Sequence, residues 1–230
     1  GWRALGNEGW SYDDVLPYFR KSERFLGDGD GSRGKDGAIV VAEMPERHEL
    51  CDAVINAAEH CGYPKSRDYN DGSMEGFGYY QVNIAKGRRF SAVRGYLNPD
   101  EGRKNLEIHT GALVENLLLE GRRCVGVRYS AHGQPHQPHT ARVRGEVILS
   151  CGAIQSPQVL ELSGIGNPQV LKAQGIEVRH ALDGVGENFM DHYQPRLNWR
   201  IKLPITLNEQ TRGLSMVREV LKYFLFRKGI

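Results

Sequence analysis

The stretch that most restricts this chain is residues 145–166, Gly-Glu-Val-Ile-Leu-Ser-Cys-Gly-Ala-Ile-Gln-Ser-Pro-Gln-Val-Leu-Glu-Leu-Ser-Gly-Ile-Gly. Val147-Ile148-Leu149 is a short continuous apolar run, which predicts a strand buried on both faces of a parallel or mixed sheet. Gly152 and Ala153 follow at its C-terminal end. Ligands sit at that end of strands in open α/β sheets, and small residues there let a ligand approach the backbone. Ser156 then reads as a helix N-cap and Pro157 as the first helical residue, where a missing N–H costs nothing. Val159, Leu160 and Leu162 give the helix its buried side, and Ser163-Gly164-Ile165-Gly166 ends it. An ordinary strand–turn–helix unit and a ligand-binding one both satisfy this local chemistry.

The rest of the chain alternates between helical and β patterns. Ser11-Tyr12-Asp13-Asp14 reads as a capping box, and Val15, Leu16, Tyr18 and Phe19 supply one apolar face of a short helix. A polar loop from Gly27 to Gly34 leads to a strand at Ala38–Val41, and a second helix is expected from Glu49 to Cys61, stopped by Gly62. Residues 65–76 are turn-rich, Tyr79 to Ile84 alternates like a strand, and Ser91 caps a helix running to Leu97. Four β segments are then expected: Leu106–His109, Ala112–Leu119, Cys124–Tyr129 and Glu146–Ser150. Gly121 breaks the second from the third, and a loop at His132–Thr140 breaks the third from the fourth. Helices from Ser156 and Pro168, a loop at Asp183–Asn188, a strand around Leu197–Leu203 and a closing helix complete the chain. The mixture predicts an α/β fold with α+β character, spread over two domains.

Several tempting sites fail on context. Gly29-Asp30-Gly31-Ser32-Arg33-Gly34 spells G-x-G-x-x-G, but that motif needs a strand before it and a helix after it, so that the helix N-terminus faces a pyrophosphate. Here the pattern gives a helix before and a strand after. Asp28, Asp30 and Ser32 hint at a calcium loop, yet its sixth position is Arg33 and its twelfth Ile39. Pro135 and Pro138 keep His132, His136 and His139 off a common helix face, so a surface hairpin loop is expected rather than a metal centre. Cys51, Cys61, Cys124 and Cys151 are widely spaced, which predicts buried reduced thiols. His192 beside Asp191 lacks an orienting partner and is expected to be structural.

Bulk properties exclude other classes. A net charge of +2 with scattered basic residues gives no footprint for nucleic acid. No apolar run approaches the roughly 20 residues that span a bilayer. The chain opens Gly1-Trp2-Arg3 without Met and closes Arg227-Lys228-Gly229-Ile230 straight out of a helical pattern, so an internal piece of a longer chain is expected. Location stays open between the cytoplasm and a membrane periphery.

Gly152-Ala153-x-x-Ser156-Pro157-x-Val159-Leu160-x-x-Ser163-Gly164-Ile165-Gly166 resembles the second signature of the glucose–methanol–choline (GMC) oxidoreductases at every fixed position. The likeness extends along nearly the whole chain. Gly9 to Phe19 resembles the helix after the family's first signature, and Gly87 to Leu97 its entry into the flavin domain. Asn105 to Val127 resembles the family's β-meander, and Asp183 to His192 the exit loop. The likeness points to choline-dehydrogenase-like members.

The resemblance implies a GMC-type FAD-binding domain joined to part of a mixed-sheet substrate domain. It implies that residues 1–87 are a helical covering segment with part of the substrate domain, 88–191 the central part of the FAD-binding domain, and 192–230 the start of the main substrate-domain segment. FAD is the implied cofactor, a small-molecule alcohol the implied substrate, and oxygen or a quinone-like acceptor the electron sink. Val114 would meet the adenine through its backbone amide and carbonyl, with Cys151 and Gly152 lying against the cofactor. The family's proton-accepting His has no counterpart here, so no catalytic residue and no metal ligand is expected in this chain. A piece of this kind would hold FAD poorly, turn over nothing and tend to aggregate. Two other readings stay open: a non-catalytic ligand- or partner-binding module, and a lyase of the same fold.

Overall fold

The computed structural model describes residues 1–29, 31–97, 102–131 and 134–229, the side chains of 134–136 excepted. It divides into two compact units, Gly1–Arg103 with Asn198–Ile230, and Lys104–Leu197.

In the first unit a 3₁₀ turn, Trp2–Leu5, precedes α1, Tyr12–Ser22. The expected capping box is present: Asp14 N–H donates to Ser11 Oγ, and Ser11 N–H donates to the Asp14 carboxylate. These bonds satisfy donors that a helix start otherwise leaves orphaned. Strand β1, Glu23–Phe25, pairs in parallel with β2, Ile39–Val41. Helix α2, Glu49–His60, starts where His48 Nδ1 accepts Leu50 N–H at 3.2 Å. A two-residue pair, β3 (Ile84–Ala85) and β4 (Arg88–Arg89), leads to α3, Ala92–Tyr96.

The second unit is built on a three-stranded antiparallel meander of β5 (Ala112–Glu120), β6 (Arg123–Ala131) and β7 (Gln134–Arg142). Helix α4, Gly152–Leu162, packs on β5. Strand β8, Ile165–Gly166, then α5, Pro168–Ala173, and β9, His180–Ala181, follow, with β8 and β9 parallel. Asn167 caps α5 with Pro168 at its start. Helices α6, Leu207–Gln210, and α7, Gly213–Phe226, return to the first unit.

The first unit is fastened by Arg33, whose side chain is 5% exposed. Its guanidinium donates to both Glu23 carboxylate oxygens at 2.5 and 3.0 Å, and to both Asp68 oxygens at 2.6 and 2.7 Å. It also donates to Gln81 Oε1 and lies 4.0 Å from the Phe25 ring centre. Its bonds to Glu23 raise the Arg33 pKa above its ordinary value, burial working against them. Burial alone would raise Glu23 and Asp68. For Glu23 the bonds from Arg33 and Gly34 N–H outweigh it; for Asp68 those from Asn70 N–H and Arg33 do, so both carboxyls titrate below their ordinary range. Planar bidentate geometry is what guanidinium provides and ammonium does not.

Several expectations are corrected. Val147–Leu149 forms no strand among the described residues, and Ile148 is 78% exposed. The same holds for Leu106–His109 and Leu197–Leu203, while Tyr79–Ile84 contributes only a bridge from Val82 to Ala42 and the start of β3. A β pattern becomes a strand only when another edge supplies the ladder. Conversely, most of the expected loop His132–Thr140 is strand β7, because an edge strand tolerates prolines that a central one does not. Ser156 is not the N-cap of α4. The helix starts at Gly152 after Cys151, and Pro157 lies inside it. Gly152 has φ +90°, a turn that needs no Cβ, and the helix begins five residues early. Ser156 Oγ instead reaches back to accept Cys151 N–H at 3.0 Å. Cys51, Cys61 and Cys151 are exposed rather than buried, and Cys124 is half-buried.

Among the described apolar side chains only Phe25, Val40, Ala58, Val159 and Leu171 are buried. The accessible surface is 19018 Å². A folded monomer of this mass would expose about 10,500 Å². Much of the apolar surface that these helices and strands are patterned to bury is therefore open to solvent.

Candidate functional site

Val114, Cys151 and Gly152 all lie in the second unit, on two elements that touch: Val114 on β5, Cys151 and Gly152 at the start of α4. The described hydrogen bonds do not join Val114 to either of the others. What the fold fixes is the direction of the Val114 backbone.

β5 is an edge strand, so half its backbone groups have no ladder partner. Which half follows from the register. Val143 N–H donates to Val125 C=O at 3.0 Å, so Val125 turns its backbone groups toward β7. In an antiparallel ladder the direction alternates, which turns Val127 and Tyr129 toward β7 as well. Their partners across β5 are Leu117 and Val114. Both must point their N–H and C=O away from β6, onto the open edge. Leu117 checks this independently, since its N–H donates outward to Ser163 Oγ at 2.8 Å.

Two outward positions three residues apart are incompatible with a regular strand. A register shift between Val114 and Asn116 resolves the conflict, leaving Glu115 as the extra residue. Glu115 is held by Arg128 at 2.9 Å across the strand pair. The bulge thus exposes the backbone of Val114 instead of that of its neighbours. On the sheet face, Tyr129 opposes Val114 and stacks on His139 with ring centres 5.4 Å apart. His139 therefore belongs to a strand, while His132 and the side chain of His136 lie outside the described residues.

At the start of α4 the surroundings are open. A Cβ placed on Gly152 would meet no atom within 4 Å, and Cys151 is exposed. The far end of the helix is closed. Ser163 Oγ donates to Val159 C=O at 2.5 Å while accepting Leu117 N–H, and Ser163 is 6% exposed. Gly164 has φ +80°, and a Cβ there would collide with the Glu177 carbonyl. Its own carbonyl accepts Arg179 N–H at 2.8 Å and His180 N–H at 3.0 Å, and Gly166 C=O accepts Leu182 N–H at 3.0 Å. The Ser-Gly-Ile-Gly turn ties β5, α4 and β9 together.

A cleft of about 450 Å³ lies between β5 and this turn, with Leu117, Arg128, Arg142, Ser163 and Arg179 among its lining. Its three arginines are each paired to a carboxylate, with Glu115, Glu120 and Glu177. His192 is 94% exposed on its side chain, and its N–H bonds Asp191 at 2.7 Å. No group of three or more His, Cys, Asp or Glu residues with metal-binding geometry occurs among the described residues. No helix among them is long and apolar enough to cross a membrane. Sequence reading missed the Glu115 bulge, which leaves no residue signature, and the Arg33 cluster, whose polar partners lie 10 to 48 positions from Arg33.

The fold is similar to that of solved proteins. Over its full length the chain is similar to an FAD-dependent oxidoreductase from Chaetomium thermophilum, at 28% identity and a TM-score of 0.86, covering 42% of that chain. Pyridoxine 4-oxidase from Mesorbium loti is similar over 77% of the chain and 35% of its own, at 32% identity and a TM-score of 0.69. The family profile of the GMC oxidoreductases matches residues 1–194, and the chain belongs to that family. Among its relatives are the mitochondrial choline dehydrogenase of Mus musculus, 41% identical over 94% of this chain, and the oxygen-dependent choline dehydrogenase of Staphylococcus xylosus, 41% identical over 97%. The chain spans 36% and 40% of the length of those two relatives.

Proposed function

We propose that the protein carrying this chain is an FAD-dependent oxidoreductase acting on the CH–OH group of a small alcohol, with choline and related amino alcohols as the first class to test. The observation that carries this reading is the open backbone edge at Val114. An N–H donor and a C=O acceptor side by side match the donor–acceptor edge of an adenine, while the side chain only packs. Gly152, with free space where a Cβ would stand, and the exposed Cys151 lie at a helix start that leaves room for the same cofactor. Bound flavin would supply the redox chemistry, taking up hydride from the carbinol carbon. The second unit is assigned to the flavin domain and the first to covering and substrate-domain segments. The residue that accepts the hydroxyl proton is assigned to the part of the relatives' length that this chain does not span.

The names of the relatives support the oxidoreductase over a binding module or a lyase. The test uses the full-length protein: its visible spectrum, followed anaerobically on addition of choline and simple alcohols. Flavin absorbance that bleaches is expected, and reoxidation by oxygen or by a quinone then identifies the acceptor. A colourless protein that takes up no added FAD overturns the reading.

A further inference from the structure

We propose that Ser163 is a positioning residue for the adenine half of the cofactor, acting through the backbone of Leu117; this rests on the flavin reading above. Its hydroxyl hydrogen is committed to Val159 C=O, so its lone pairs are fixed in direction and receive Leu117 N–H. Ser163 is buried, which keeps water from competing for either bond. Among the described residues this is the hydrogen bond that joins the open edge of β5 to the α4 turn. Leu117 and Val114 share that edge, about 7 Å apart along it, the spacing of their partners Val127 and Tyr129. The bond occupies the edge at Leu117, leaves it free at Val114, and sets the distance of both from the helix that begins at Gly152. A serine that only closed the last turn of α4 would need its bond to Val159 and nothing from the strand.

The experiment uses the full-length apoprotein with ADP and FMN as probes of the two halves of FAD. Ser163→Ala is expected to weaken ADP binding about tenfold, the scale of one orphaned buried N–H, and to leave FMN binding unchanged. Ser163→Thr, which keeps the hydroxyl, should restore ADP binding. Equal losses for ADP and FMN, or no loss for either, overturn the proposal. Amide exchange on the unsubstituted protein decides the matter even if the alanine variant does not fold. Leu117 should be protected with and without ADP, and Val114 only with it; a Leu117 amide that exchanges as freely as Val114 in the apoprotein overturns the proposal. A wild-type protein that binds no FAD, ADP or FMN defeats the flavin reading itself, whereas wild-type binding with an indifferent alanine variant defeats only the role of Ser163.

Discussion

The two units are fastened by opposite means. In the first, one buried guanidinium holds two carboxylates from segments 45 positions apart, Glu23 and Asp68. In the second, a neutral turn, Ser163 to Gly166, does the same work with one hydroxyl, backbone bonds and a glycine pressed against a carbonyl. The ionic fastening depends on protonation and tolerates no missing partner, because a carboxylate left alone in a buried site is strongly unfavourable. The neutral one is indifferent to pH but depends on shape. It also sits beside the open edge of β5, which on the proposed reading gains an anchor that does not respond to the charge of what binds.

Substitutions can separate these two modes. Arg33→Met should have the largest effect, about 3 kcal/mol lost from unfolding free energy, measured by urea denaturation of the full-length protein. Gly164→Ala should follow at about 2 kcal/mol, from its left-handed backbone and the clash with the Glu177 carbonyl. Acid comes next. Because the Glu23 and Asp68 pKa values are lowered on folding, their stabilisation is complete above about pH 4.5 and fades as pH falls through the folded values. Amide protection, corrected for the intrinsic exchange rate, should then fall at pH 3 against pH 6 around β1 and residues 66–70 and not around Ser163; equal changes in both units would erase the distinction. Gly152→Ala should cost about 1 kcal/mol, since only the backbone conformation is strained and the space is free, yet it should reduce FAD retention on gel filtration. Cys151→Ser, at an exposed position, should stay within about 0.5 kcal/mol.

What could be read in the sequence was local. The capping box of α1, the extent of α2, the paired strands β5 and β6 and the start of α5 at Pro168 all depend on neighbours within a few residues. Val147-Ile148-Leu149 carries a strand signal just as strong, yet it has no ladder, because pairing is a property of two segments and only one was being read. Ser156 misled for a related reason. A serine before a proline is a good cap in isolation, but Gly152 opened a turn upstream and drew the helix start with it. At the site, Val114 could be singled out by resemblance, whereas the outward turn of its backbone emerges only from the register of three strands and one inserted residue.

The two margins of the meander are not equivalent. On the outer strand, Pro138 stands opposite Ser130, between the positions bonded to β6, so the nitrogen facing solvent has no hydrogen to offer an incoming strand. On the other margin, Val114 offers both a donor and an acceptor. Such a margin does not distinguish a purine from a stray peptide. On the proposed reading, the cofactor would also act as a plug: unloaded, the β5 margin would be open to a strand of another chain, and loaded it would not be. Flavin supply during synthesis would then govern how much of the protein stays soluble, separately from how much of it is active.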